Sequence, residues 1–137
     1  MTPTEVFHRA HAHVRQYDIR FLDWFAHDGV LELPFAPPPM PRRTRGREAL
    51  RALYQPRYDA ARAAGRRIVD YLDLVIHETR DPQVIVAEFQ VRGIPRGEGA
   101  EPYTLPFIQV YRVVDDRIAL QRDYFDSLVM AERLRLQ

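Results

Sequence analysis

The sequence contains no cysteine. Disulfides, thiolate nucleophiles and thiolate metal sites are therefore excluded. It contains no lysine either, so all 20 basic residues are arginine. That removes Schiff-base chemistry and the phosphate-cradling lysine of a P-loop. Serine is nearly missing: Ser127 stands alone, without the G-x-S-x-G surroundings of a hydrolase nucleophile elbow. An excess of charge of one sign is missing too, since 20 basic residues face 19 acidic ones for a net charge of +1. So balanced a chain is no polyanion binder, and nucleic acid is not expected as a partner. No apolar run reaches membrane-spanning length, and Met1-Thr2-Pro3-Thr4-Glu5 lacks the basic-then-apolar order of a signal peptide. The expectation is a soluble, cytoplasmic protein with no membrane partner.

What is present describes a globular chain. Its 137 residues, 46% hydrophobic and 28% charged, suffice for one domain with its own core, spanning 1–137. The first half reads as helical. Thr4 is placed to cap a helix to Val14, with Phe7, Ala10, His11 and Val14 at helical spacing. A second short helix is expected over 18–26, then a turn at Asp28-Gly29 and a short strand over 30–35 with Leu31 and Leu33 on one face. Pro37, Pro38, Pro39 and Pro41 stiffen a loop over 36–45. A third helix starts at Gly46-Arg47-Glu48, is expected to kink or break at Pro56, and ends at Gly65.

After Gly65 the period changes from that of a helix to that of a strand. Segments 66–78, 83–92, 103–114 and 117–125 alternate, separated by a turn at Asp81-Pro82, a glycine-rich loop over 93–99 and a turn at Asp115-Asp116. Residues 131–137 form a short tail with helical character. Helices followed by an antiparallel meander predict an α+β fold. The expected form is a curved, mainly antiparallel sheet wrapped around three N-terminal helices, cone-shaped with a central cavity. Its inner face would carry Leu33, Phe89, Val91, Leu105, Phe107, Gln109, Asp123 and Phe125, an apolar lining with few polar groups, as small-molecule pockets have. Thr104, Ile108, Val110, Ile118, Leu120 and Tyr124 would face outward, an apolar surface suited to a homodimer.

Asp123 is the focus of this reading. Alternation along the last strand places it with Ala119, Gln121 and Phe125, and Arg122 with Ile118, Leu120 and Tyr124. A carboxylate on a core-facing surface is costly unless it meets a partner or takes up a proton. Gln109 is a candidate ligand contact or the partner of a buried backbone group. Tyr54 and Tyr58 are candidates for the pocket or for the core, as are His11 and Trp24. His8, His11 and His13 invite a metal reading, but no further ligand completes a set, and no metal is expected. Arg42, Arg43, Arg45, Arg47 and Arg51 form a basic stretch that is either a solvated surface or an anion trap at the cavity mouth.

Two groups of motifs carry a resemblance. Phe25-Ala26-His27-Asp28-Gly29-Val30 with Arg45-Gly46-Arg47-Glu48-Ala49-Leu50, and Asp116-Arg117-Ile118 with Arg122-Asp123-Tyr124-Phe125-Asp126, resemble the SnoaL-like branch of the nuclear-transport-factor-2-like superfamily. That superfamily includes ketosteroid isomerases, limonene epoxide hydrolase, polyketide cyclases, the phenazine-biosynthesis A/B proteins and non-catalytic members, so the fold alone does not give a reaction. The resemblance implies an acid-base role for Asp123, which stands where epoxide hydrolase carries such a carboxylate. It places Leu33 where the isomerases carry their base and Gln109 where they carry a proton-donating Asp, and it matches Tyr54 to a tyrosine of their hydrogen-bond network. Leu31 and Leu33 replace the hydrolase's water-holding Tyr and Asn; Phe89 and Val91 replace its Arg and Asp partners.

The functional expectation is a cofactor-free acid-base enzyme of cyclase or isomerase type, acting on a small, largely apolar substrate, with secondary metabolism as its setting. Asp123 would move the proton. Gln109, Tyr54, Tyr58, His11, Trp24, Leu33, Phe89, Val91, Phe107 and Phe125 would surround the substrate. Two alternatives stay open at this level: a non-catalytic binding or assembly domain using the same cavity, and a hydrolase in which Asp123 activates water.

Overall fold

The computed structural model describes residues 1–97 and 99–135. Helix α1 spans Pro3–Val14 and a 3-10 turn spans Ile19–Trp24. Strands β1 (Phe25–Glu32) and β2 (Arg43–Arg45) precede helix α2 (Arg47–Ala63). Strands β3 (Arg67–Glu78), β4 (Val84–Ile94), β5 (Tyr103–Val114) and β6 (Arg117–Phe125) follow, and helix α3 (Ser127–Arg135) closes the described chain. The strands form one sheet in the order β2-β1-β6-β5-β4-β3. Every neighbouring pair is antiparallel except β1 with β6. The α+β architecture is therefore the expected one, with the core between the helices and one face of the sheet.

Local chemistry explains the helix ends. The hydroxyl of Thr2, rather than that of Thr4, accepts from the Glu5 amide and caps α1, with Pro3 in the first turn where its missing N–H costs nothing. At the end of α2, the Arg66 amide bonds to the Ala61 carbonyl and the Gly65 amide to the Arg62 carbonyl. Gly65 has φ +74, so this is a Schellman closure that needs glycine. Pro56 does not end the helix as expected; α2 runs through it. Leu50, Tyr58 and Ala61 make the buried stripe of α2, and Tyr54 lies on the same stripe.

Four further expectations are corrected by the structure. The helix over 18–26 shrinks to the 3-10 turn, and β1 begins already at Phe25. The Asp28-Gly29 turn signal lies inside β1, where the register to β6 slips between Phe25 and Val30. A side chain at Gly29 would come within 2.8 Å of the Ile118 carbonyl, so the glycine permits a bulge rather than a turn. The proline-rich loop contains β2, which pairs with β1 through Leu31 and Thr44. The last helix begins at Ser127, four residues before the expected tail, and residues 136–137 of that tail lie outside the described chain, as does Glu98 of the glycine-rich loop.

The turn at Asp115-Asp116 forms as expected. Both residues have positive φ, the signature of a two-residue type I′ hairpin. Beyond it, Val113 pairs with Ile118 and Arg112 with Leu120, which leaves Ala119 as a bulged residue. The bulge reverses the phase at the start of β6. Ile118 turns inward and is fully buried, so it is not on the outer face where simple alternation put it. From Leu120 onward the alternation holds, and Gln121 and Asp123 point to the inner side.

Candidate functional site

A cavity of about 200 Å³ lies between the sheet and the helices. Its sheet wall is a row of rings. Tyr71 of β3 stacks on Phe89 of β4 with centroids 4.7 Å apart, and Phe89 stacks on Phe107 of β5 at 5.8 Å. The register makes this row, because Phe89 lies opposite Phe107 and Tyr71 lies opposite Val91. The helices supply Ala10 and His11 from α1, and Tyr54 and Tyr58 from α2, one helical turn apart.

Asp123 lies directly opposite Gln109 across the β5–β6 ladder, and the Gln109 amide nitrogen donates to its Oδ1 at 3.1 Å. It is the one carboxylate among the lining residues. Burial among rings raises its pKa to about 7, although the Gln109 hydrogen bond works in the opposite direction. At neutral pH both protonation states are therefore populated.

The amide of Gln109 is itself held by a buried chain of polar groups. Burial lowers the pKa of His11 to about 3, so its ring is neutral and carries one N–H. Its Nε2 lies 3.1 Å from Gln109 Oε1 and 2.7 Å from the Tyr111 hydroxyl. Gln109 Oε1 can only accept, which assigns the proton to Nε2 and leaves Nδ1 to accept from the Tyr71 hydroxyl at 2.6 Å. The Tyr111 hydroxyl also donates to Gln109 Oε1. Two donors on the oxygen fix the amide so that its NH₂ group faces Asp123. Burial also raises the phenol pKa values of Tyr54, Tyr58, Tyr71 and Tyr111, so these hydroxyls remain protonated donors.

Of the residues singled out from the sequence, Asp123, Gln109, Tyr54, Tyr58, His11, Phe89, Val91 and Phe107 line this cavity. Trp24 does not; it lies beside a shallow surface depression with His13, Asp23 and Arg117, whose guanidinium is 5.5 Å from the indole centroid. Leu33 sits in the core just beyond β1, and Phe125 packs edge-on to Phe107 outside the lining. The proline-rich loop gives the cavity no lining residue. Nor does the basic stretch: Arg42 bonds to the Ala36 carbonyl, Arg47 to the Phe25 carbonyl, and Arg43 and Arg45 approach Glu32 and Asp28 at 3.9 Å. Among the described residues no group of three His, Asp or Glu side chains is placed to hold a metal.

Sequence reading gave no role to Tyr71 or Tyr111. Tyr17 and Tyr103 also line the cavity, as do Phe21, Ile68 and Gln121. A count of inward-facing tyrosines would have been the one signal available, since seven tyrosines occur in the chain and six line this cavity.

Comparison with known proteins gives a consistent set of relatives. A family model described as the SnoaL-like domain matches residues 7–121. An uncharacterised PhzA/B-like protein of Pseudomonas aeruginosa is 32% identical over 114 residues, which are 82% of this chain and 74% of that protein. A solved structure from Bacillus subtilis, provisionally described as an isomerase, is 26% identical with a TM-score of 0.77, covering 94% of this chain and 89% of its own. A Pseudomonas putida structure, provisionally described as a polyketide cyclase, shares the fold at 21% identity and a TM-score of 0.72, with coverage of 96% and 97%.

Proposed function

The chain belongs to the SnoaL-like family, and on that premise we propose that it is an acid-base catalyst of isomerase or cyclase type acting on a small carbonyl compound. The observation that carries the reading is Asp123: one carboxylate in a ring-lined cavity, with an amide N–H on Oδ1 at 3.1 Å and a pKa of about 7. A group poised there can both take and return a proton near neutrality.

In this reading Asp123 removes a proton from the carbon next to a carbonyl. The electron pair moves into the carbonyl to form an enolate, whose oxygen is stabilised by phenolic donors. The resulting carboxylic acid returns the same proton to a different carbon, which shifts a double bond, or to the alkoxide formed when the enolate closes a ring. No electrons are gained or lost overall. The Gln109 oxygen is already occupied, so its role is to hold Asp123 rather than the substrate. Leu31 and Leu33 are buried in the core, and Phe89 and Val91 present apolar surface, so no side chain at those four positions can hold the water that a hydrolase would need.

The test is proton exchange at carbon. Cyclohexenone in deuterated buffer should lose its acidic C–H proton signals faster with the protein than with buffer alone, as read by proton NMR. No acceleration with this or any other carbonyl compound that binds would sink the reading.

We also propose that the chain is a single domain and pairs with a second copy through the outer sheet face. Ile108 is 44% exposed and Val75 49% exposed there, beside the half-buried Tyr124. Exposed apolar surface of this kind calls for a partner. Sedimentation velocity should give a dimer at micromolar concentration, and Ile108→Asp should shift it to monomer; a monomeric wild type would refute the pairing.

A further inference from the structure

The cavity's size, charge and unused donors restrict what it can hold beyond the reaction type. Its volume is about 200 Å³. An apolar cavity of roughly 150 Å³ accommodates benzene. Room therefore exists within the walls for one six-membered ring with a short substituent, and three fused rings exceed it.

The lining offers an anion no counter-charge and a cation only one carboxyl group. No arginine lines the cavity, and His11, the one residue there able to become a cation, is held neutral with both nitrogens engaged. An anion entering the cavity would sit beside Asp123 with no counter-charge, and the cost of such burial is high. A cation would find rings and a carboxyl group, the materials of a cation cage. Asp123, however, is the one counter-charge there, and the cost of desolvating a buried ammonium and carboxylate can exceed their attraction.

The free hydrogen-bonding capacity points the same way. The hydroxyls of Tyr71 and Tyr111 are used by His11 and Gln109, and Tyr17 and Tyr103 interact with each other. Tyr54 and Tyr58 line the cavity with hydroxyls that meet no partner among the described residues. Both stay protonated, so both offer an O–H. Two donors left open beside apolar walls call for one acceptor oxygen with two lone pairs.

We propose that the cavity selects neutral one-ring carbonyl compounds, with the Tyr54 and Tyr58 hydroxyls donating to the carbonyl oxygen. This rests on the acid-base reading of the same site, but its test reads binding rather than turnover, so the two can fail separately. The probes are cyclohexenone and acetophenone as neutral ketones, benzoate and benzylammonium as charged compounds of like size, and anthrone as a three-ring ketone. Affinities are measured by NMR titration of the labelled protein, following the amide signals of Gln109 and Asp123.

The neutral one-ring ketones should bind at least tenfold more tightly than benzoate or benzylammonium, and anthrone should leave the cavity signals unmoved. Tyr54→Phe and Tyr58→Phe should each weaken ketone binding several-fold, and the double variant roughly tenfold or more. Both keep the ring and so the wall, and thermal unfolding of each variant confirms the fold. Preference for benzoate or benzylammonium, entry of anthrone, failure of the ketones to bind at millimolar concentration, or unchanged ketone affinity in the folded double variant would each overturn the proposal. Ketone binding with this selectivity but without proton exchange would leave it standing and remove the catalytic reading instead.

Discussion

Asp123→Asn is expected to slow enzyme-dependent proton exchange by roughly a hundredfold or more, the usual scale of a lost general acid-base group. The amide has nearly the same size but cannot carry a proton between carbons. In the wild type the ionised form is the base, so the rate should rise with pH, bend near pH 7 and level off above it. The variant should show no such bend. A variant that keeps the wild-type rate, or a wild-type profile that bends near pH 4 instead, would move the chemistry away from Asp123.

The same substitution should change the pH dependence of stability. For Asp123 the folded pKa, about 7, lies above its ordinary value of 3.8. As pH rises between those values the unfolded chain has lost this proton while the folded chain keeps it, so stability falls. For His11 the folded pKa, about 3, lies below its ordinary value of 6.5. Between those values the unfolded chain carries the proton and the folded chain does not, so stability rises with pH. From about pH 4 to pH 6.5 the two groups hold one proton in each state, and their slopes cancel. Asp123→Asn removes one side of this balance. Its stability should climb with pH across the window relative to wild type, by at most about 1.4 kcal/mol per pH unit. Above pH 7 the variant should be the more stable protein, because no buried carboxylate has to ionise. Denaturant unfolding of both proteins at a series of pH values measures the difference.

How far the sequence discloses this site depends on which physical signal each residue gives. The strands β4, β5 and most of β6 alternate cleanly, so the inward phase of Asp123, Gln109, Phe107 and Phe89 is legible from period alone. That phase holds because no bulge falls between Leu120 and Phe125. Where bulges occur, alternation misleads. Ala119 sends Ile118 inward, and the slip in β1 hides a strand behind a turn-like Asp-Gly pair. Tyr71 illustrates a second limit. It lies on the edge strand β3, where Val69 and Val75 are exposed and the polar-apolar pattern does not mark the inner face. Its bond to His11 joins residues 60 positions apart, and His11 reaches Gln109 and Tyr111 at still longer separations. No local spacing encodes such a chain. A lone histidine on the apolar side of a helix shows only that something must satisfy it.

That chain gives the last expectation. His11→Phe should destabilise the protein by roughly 2–5 kcal/mol, because it strands the Tyr71 hydroxyl and removes one of the two donors on Gln109 Oε1 in a buried setting. The ring itself is tolerated, since Phe7, Tyr71 and Phe89 already surround the site with aromatic contacts. A purely structural role would end there. The hydrogen-bond directions assign more: His11 and Tyr111 together turn the amide NH₂ of Gln109 toward Asp123. With His11 gone that orientation loosens, and Asp123 loses part of the one interaction that opposes desolvation. Its pKa should rise further, carrying the bend of the pH-rate profile to higher pH. Gln109→Leu should move the bend in the same direction through the same cause. The stability slope should also reverse relative to Asp123→Asn: without His11 the Asp123 contribution is unopposed, and stability should fall with rising pH between about 4 and 7. Carbon-detected NMR titration of the Asp123 carboxyl in the folded variant decides the point. An unmoved titration would reduce His11 to packing and leave the orientation of Gln109 to Tyr111 alone.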